Sequence, residues 1–325
     1  MSNHKLLILV AALALAFVLR EVIIILFVAF LLTTAFLPVV QWLKQKRIPR
    51  GLSSIILIVA LVVIPIALLF SVGPALADEG RELFNRAPKI VDEVDSLLSA
   101  EIGIEVRNRV VDRSEQMIAD AFTATGSAVR VIIGIVLVPV LAVYWLTYYR
   151  QAKVGLINFI GAGEKGRRQF ASDSFEAVEA RLGSWVKGQL LVSFAVGLLT
   201  WVVLLILGVP YAGVLALIAA FLEIIPTLGP ILAAVPALLI ALTIDTSLFF
   251  IVLIAYVVIQ QVESYIISPR VLGQSVKMNP FAVLLSVIVG TNLLGIIGAL
   301  LAVPAVITGQ EIYRVYVKER DKLQT

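Results

Sequence analysis

The chain has 325 residues, 60% of them hydrophobic and only 15% charged, with a net charge of +4. An average soluble domain carries about 25% charged residues, and a globule of this size exposes too much surface to hide so apolar a composition. That excludes an aqueous globule and a disordered chain, and points to an all-α polytopic membrane protein whose apolar faces meet lipid. Cysteine is absent, and the single histidine is His4. Disulfides, thiolate chemistry and a His- or Cys-based metal or acid/base centre are excluded with them, so no cofactor is expected.

The first apolar run is 6–19, ending at Arg20-Glu21. Fourteen helical residues rise ~21 Å, short of a ~30 Å hydrocarbon core. The predicted span therefore tilts, thins the bilayer, or is eased by snorkelling of Lys5 and Arg20. A signal peptide is the competing reading, fitted by the short basic start and Ala12-Leu13-Ala14-Leu15-Ala16. A second long apolar run, 22–43, follows at once with no polar mature start, which favours a span.

The basic segment 44–50 leads into a third span, 51–70, with Pro65 as a kink. Residues 1–74 thus form an N-terminal group of spans. Residues 75–129 are charged, and Ile90, Val91, Val94, Leu97 and Leu98 repeat at helical spacing, which predicts a helical extramembrane insert. A fourth span occupies 131–149, within a 130–149 unit. It contains Pro139 and ends on the interfacial aromatics Tyr144, Trp145, Tyr148 and Tyr149. Residues 150–188 are polar, with Phe170, Phe175, Val178 and Leu182 marking an amphipathic helix along the membrane surface.

The core, 189–310, has an ordinary span at 190–207 and another at 248–262. Between and after them lie two pairs of short apolar segments. The first, within 211–244, is interrupted by Pro226-Thr227-Leu228-Gly229-Pro230. The second, within 280–307, is interrupted around Gly290-Thr291-Asn292 and Gly295. Counting each pair once gives about eight membrane segments, followed by a tail, 311–325.

Charge sets the orientation. Loop 44–50 carries four Lys/Arg and no acid, segment 150–188 seven against four, and the tail four against three. The insert 75–129 carries six Lys/Arg against eleven acids. The positive-inside rule puts the first three, and both termini, in the cytoplasm and the insert outside. With that topology the two broken pairs enter from opposite faces. Short Gly/Pro-interrupted segments in the two halves point to a secondary-transporter binding site. Two tilted hairpins with proline kinks are the alternative.

The residue series is distinctive: Gly188-Gln189; Gly208-Val209-Pro210; Phe221-Leu222-Glu223-Ile224-Ile225-Pro226-Thr227-Leu228-Gly229-Pro230; Gln261-Val262-Glu263-Ser264-Tyr265, with Ser268-Pro269-Arg270; and Gly295 through Pro304. In order and spacing this resembles the autoinducer-2 exporter family of bacterial membrane transporters, over essentially the whole chain. The resemblance implies a multi-pass inner-membrane transporter, homo-oligomeric as a pentamer. Family members are associated with export of the quorum-sensing signal autoinducer-2, and some are similar to sodium/proton antiporters. One departure stands out: Ser264 replaces the Asn usual in a Glu-Asn-Tyr pattern, with shorter reach and fewer donors.

Glu223 is the most informative residue, because a carboxyl deep in an apolar segment is costly unless paired, hydrated or protonated. It either faces a transport cavity and contacts solute or ion, or is a protonated structural carboxyl bonded to backbone freed near Pro226. Pro226, Gly229 and Pro230 free backbone groups for a ligand or simply make a tight turn. Asn292 coordinates a ligand or caps a half-helix. Gln189 extends the same polar lining. Gln260, Gln261, Glu263, Tyr265 and Arg270 form a cytoplasmic gate, with Glu263 facing Arg270 and Pro269 ending the helix, or else an ordinary interfacial helix end. The basic run 44–50 suits lipid headgroups rather than nucleic acid.

The expectation is a secondary transporter of a small hydrophilic solute such as autoinducer-2. A sodium/proton antiporter is the alternative, and a non-transporting membrane scaffold acting through the insert is a third reading. No P-loop, His/Cys metal cluster or nucleophile elbow is present in the sequence, so neither an enzyme nor an ATP-driven pump is expected.

Overall fold

The structure is a computed structural model that describes residues 18–49, 137–161, 164–226, 228–272 and 279–322, with isolated positions between 52 and 89. The helices in chain order are α1 (Arg20–Gln45), α2 (Leu137–Thr147), α3 (Tyr149–Gly161), α4 (Lys165–Ile206), α5 (Ala212–Leu222), α6 (Leu228–Ile244), α7 (Thr246–Val262), a π turn (Glu263–Ile267), α8 (Ser268–Val271) and α9 (Pro280–Lys322). Among the described residues four helices are long and apolar enough to cross a bilayer: α1, α4, α7 with its continuation, and α9. The protein is an all-α, multi-pass membrane protein. The predicted first and third spans and nearly all of the insert 75–129 lie outside the described residues.

The chain divides into two compact units. The first comprises 1–63, 124–183 and 315–325. Its interior is built around α1. Phe30 packs on Trp145 and on Phe175, each at 5.6 Å between ring centroids. Thr33, fully buried, donates to Ala29 O at 2.8 Å, with Ala142 O at 3.3 Å. Gly183 permits the backbone of α1 to come close, since a Cβ there would stand 2.6 Å from Thr34 O. Tyr149 OH donates to Glu179 Oε2 at 2.6 Å, and Lys153 pairs with Glu176 at 2.8 Å, tying α3 to α4.

The segment 150–188 comprises α3 and the first part of α4, and helix runs without interruption from Lys165 into the span that follows, 42 residues in all, so no break falls at 188.

The second unit comprises 64–123 and 184–314. Here Phe194, Leu198, Trp201 and Leu205 of α4 face outward, while Gln189, Ser193 and Thr200 are buried alongside Val192, Val196 and Leu204. That is the arrangement expected when the outer solvent is lipid. α6 packs against both α5 and α7, around Leu204, Leu215, Ala237, Ile240, Val252 and Tyr256.

Both predicted interruptions are helical hairpins. α5 has 11 residues and α6 has 17, giving ~16 and ~26 Å, neither a full straight span. A Cβ on Gly229 would fall 1.9 Å from Leu222 O, so the turn closes only with glycine there. In α9 the helix breaks at Gly295, with φ 63° and ψ −144°, a backbone that glycine adopts without a Cβ penalty. The break lies at Gly295 itself, and helix continues through Gly290, Thr291 and Asn292. Past it the arms fold back, and a Cβ on Gly298 would stand 1.9 Å from Gly290 O. The tip of the first hairpin meets the second: Ile225 packs with Val287, Ala299 and Ala302.

Pro269 does not end its helix. The chain stays helical from Thr246 to Val271 because a π turn at Glu263–Ile267 precedes the proline. The wider turn changes the hydrogen-bond register just where proline lacks an N–H.

Candidate functional site

The site lies within the second unit, where α5 stops. Glu223 caps α5, with its N–H bonded to Ala219 O at 2.9 Å. Pro226 follows closely, so the helix cannot continue and the last carbonyls need other partners. Gln189, buried on α4, supplies one by donating from Nε2 to Glu223 O at 2.7 Å. The Glu223 side chain is only 3% exposed, and its Oε2 has no hydrogen-bond partner in the protein.

Beside it is a cavity of about 340 Å³ whose walls come from α4, α5, α6, α7 and the π turn. Thr200, Glu223, Pro230, Tyr256, Gln260 and Glu263 line it, and most of the remaining wall is aliphatic. Such a cavity, largely apolar with a few polar groups, is the usual form of a small-molecule site.

Glu263 opens the π turn. Its Oε2 accepts from Gln260 Nε2 at 2.7 Å and from Ser264 Oγ at 3.0 Å, and its Oε1 accepts from Ser268 Oγ. The shorter side chain at 264 still reaches the neighbouring carboxylate. π turns are rare and recur at functional sites, where the extra residue redirects side chains.

The predicted residues separate into three groups. Glu223, Pro230, Gln260 and Glu263 come together on the cavity, with Gln189 behind Glu223. Pro226 and Gly229 form the turn backbone, Leu228 N bonding to Pro226 O at 2.9 Å and Gly229 N to Ile225 O at 2.9 Å. Asn292 does not join the cavity. It is exposed and bonds through Nδ2 to Ile288 O at 2.9 Å, one turn back on its own helix.

Gln261, Tyr265 and Arg270 are exposed and do not line the cavity. The expected pairing of Glu263 with Arg270 is replaced by the bonds to Gln260, Ser264 and Ser268, because the π turn places Ser268, five residues on, over the carboxylate. Thr200, Ser193 and Ser268 were missed. The first two share a face of α4 with Gln189, at positions 189, 193 and 200, which was the available signal.

Among the described residues no group of three or more His, Cys, Asp or Glu side chains converges to hold a metal ion. The sequence profile described as AI-2E family transporter matches residues 6–318. YrrI of Bacillus subtilis, a candidate transport protein, is 29% identical over 304 residues, covering 89% of this chain and 84% of its own length. MT0215 of Mycobacterium tuberculosis, also a candidate transport protein, is 26% identical over 313 residues, covering 93% and 85%. The AI-2 transport protein TqsA of Escherichia coli is 28% identical over 283 residues, covering 83% and 79%.

Proposed function

The chain belongs to the AI-2E family of transporters, and from that premise we propose that it is a secondary transporter exporting a small hydrophilic solute. Autoinducer-2 is the first candidate, because a relative that aligns with most of the chain is named for its transport. The observation that carries the reading is Glu223, a buried carboxyl with an unpartnered oxygen, set beside a cavity walled by the first hairpin together with α4 and α7. A membrane-embedded carboxyl without a partner is costly to keep, and is explained if a transported ligand or proton uses it. Protein-lined cavities are also where interrupted helices at membrane depth are tolerated.

The test is counterflow of autoinducer-2 in proteoliposomes made with the full-length protein. Glu223→Gln keeps the shape and removes the titrating group. Its exchange rate falls at least about tenfold and loses its pH dependence, the size expected for one charge-assisted contact. An unchanged rate and pH profile would sink the reading.

A sodium/proton antiporter is the second reading. It is favoured by the presence of two carboxylates, Glu223 and Glu263, on one cavity. Proton flux on addition of sodium, abolished by Glu223→Gln and indifferent to autoinducer-2, selects it. In either case we infer a bacterial inner-membrane location with both termini cytoplasmic and a homo-oligomeric, pentameric assembly among membrane lipids. The charge distribution supports the first part and the family resemblance the second.

A further inference from the structure

Five helical threonines among the described residues bond back to their own helix. Thr33, Thr34, Thr243, Thr291 and Thr308 donate to Ala29, Leu31, Ile240, Val287 and Pro304 carbonyls at 2.7–2.8 Å. That is the ordinary way to hide a hydroxyl in an apolar environment. Thr200 does otherwise. It is 0% exposed, and its Oγ1 has no partner. Its residue forms part of the wall of the cavity that Glu223 also lines. Ser193, on the same face of α4 two turns nearer Gln189, is likewise buried with an unpartnered Oγ.

We propose that Thr200 is a solute-binding residue, and that with Glu223 it selects compact, uncharged solutes bearing hydroxyls at more than one position. The inference rests on the transporter reading above and adds the class of its substrate. A carboxylate only accepts hydrogen bonds, whereas a hydroxyl both donates and accepts. The two residues thus mark two polar points of different character in one cavity. A polyol satisfies both, donating to Glu223 and exchanging bonds with Thr200. The aliphatic wall between suits its carbon face.

The volume, about 340 Å³, suits a solute of a few carbons. A bare metal cation is served poorly. Hard cations collect about six or more oxygens, and the second carboxylate on this cavity, Glu263, already accepts from Gln260, Ser264 and Ser268.

The experiment compares wild type, Thr200→Val and Thr200→Ser as full-length protein in proteoliposomes. The probes are autoinducer-2 and ribitol, and the readout is the half-saturating concentration for whichever of them the wild type exchanges. Thr200→Val raises it about tenfold, the loss of one hydrogen bond, and Thr200→Ser leaves it within about threefold. The thermal unfolding midpoint of Thr200→Val in detergent stays level or rises, because an unpartnered buried hydroxyl has been removed. A half-saturating concentration unchanged in Thr200→Val overturns the inference and leaves the transporter reading standing. So does a fall in midpoint with equal transport losses in both variants, which marks a structural role. A wild type that exchanges neither probe overturns the solute reading and this inference together.

Discussion

Gln189 is a long polar side chain buried in a lipid-facing protein, and its amide is spent on one backbone atom, Glu223 O, at 2.7 Å. Removing the donor leaves that carbonyl enclosed without its partner. An orphaned buried acceptor costs about 1–3 kcal/mol. Gln189→Leu should therefore lower unfolding stability in detergent by that amount, whereas Gln261→Leu, at an exposed position, should stay within about 0.5 kcal/mol of wild type. Transport should also fall in Gln189→Leu, because the carbonyl is part of the turn that presents the Glu223 side chain. Equal stability in the two variants would remove Gln189 from the site's scaffolding.

The site's own residues were unevenly legible at this scale. Glu223 stands out in any hydropathy reading, because a carboxylate in an apolar run has few structural uses. Thr200 does not, because threonine is common in spans and normally satisfies itself. Only its missing partner sets it apart, and partners are not written in the sequence.

The two hairpins turn on glycines that act in different ways. Gly229 and Gly298 are sites of close approach, where a Cβ would stand 1.9 Å from a backbone oxygen. Gly295 has open space around it but a φ of 63°. Gly309 has neither constraint. Gly229→Ala and Gly298→Ala must separate two backbones, at a cost of about 1–3 kcal/mol or more, as for overpacking. Gly295→Ala forces a side chain onto φ 63°, ψ −144°, close to a region that is essentially glycine's alone, at roughly 1–3 kcal/mol. Gly309→Ala should stabilise its helix by up to about 1 kcal/mol. Unfolding midpoints of the four variants in one detergent rank them. A Gly298→Ala protein as stable as Gly309→Ala would mean the arms of α9 do not pack as described.

The breaks at Pro226 and Gly295 were visible in the sequence because proline and glycine act on their own local backbone. The continuity of α4 was not visible, since a change from polar to apolar composition alters a helix's surroundings without interrupting its hydrogen bonds. Nor was the passage of helix beyond Pro269, which depends on a π turn that begins six residues earlier, at Glu263.

At the scale of the whole chain the decisive property is which solvent each stretch meets. The second half of α4 buries Gln189, Ser193 and Thr200 and turns Phe194, Trp201 and Leu205 outward, which suits an apolar rather than an aqueous surrounding. The stretches rich in charge must then lie beyond the bilayer. The orientation proposed for them is argued from the basic residues: four in 44–50, seven in 150–188 and four in 311–325, against an excess of acids in 75–129. The chain has no cysteine, so single cysteines report position without further engineering. Gln45→Cys, Arg167→Cys and Lys318→Cys should resist a membrane-impermeant maleimide in intact cells and react once the membrane is permeabilised. Asp112→Cys, in the acidic insert, should react in intact cells. Labelling of the first three from outside, or protection of the fourth, would reverse the orientation. It would also exchange the faces from which the two hairpins enter, so the Glu223 hairpin would face the cytoplasm and the Gly295 hairpin the exterior. Export through this site would then need its gating assigned in the opposite sense, with the π turn at Glu263 on the outer side.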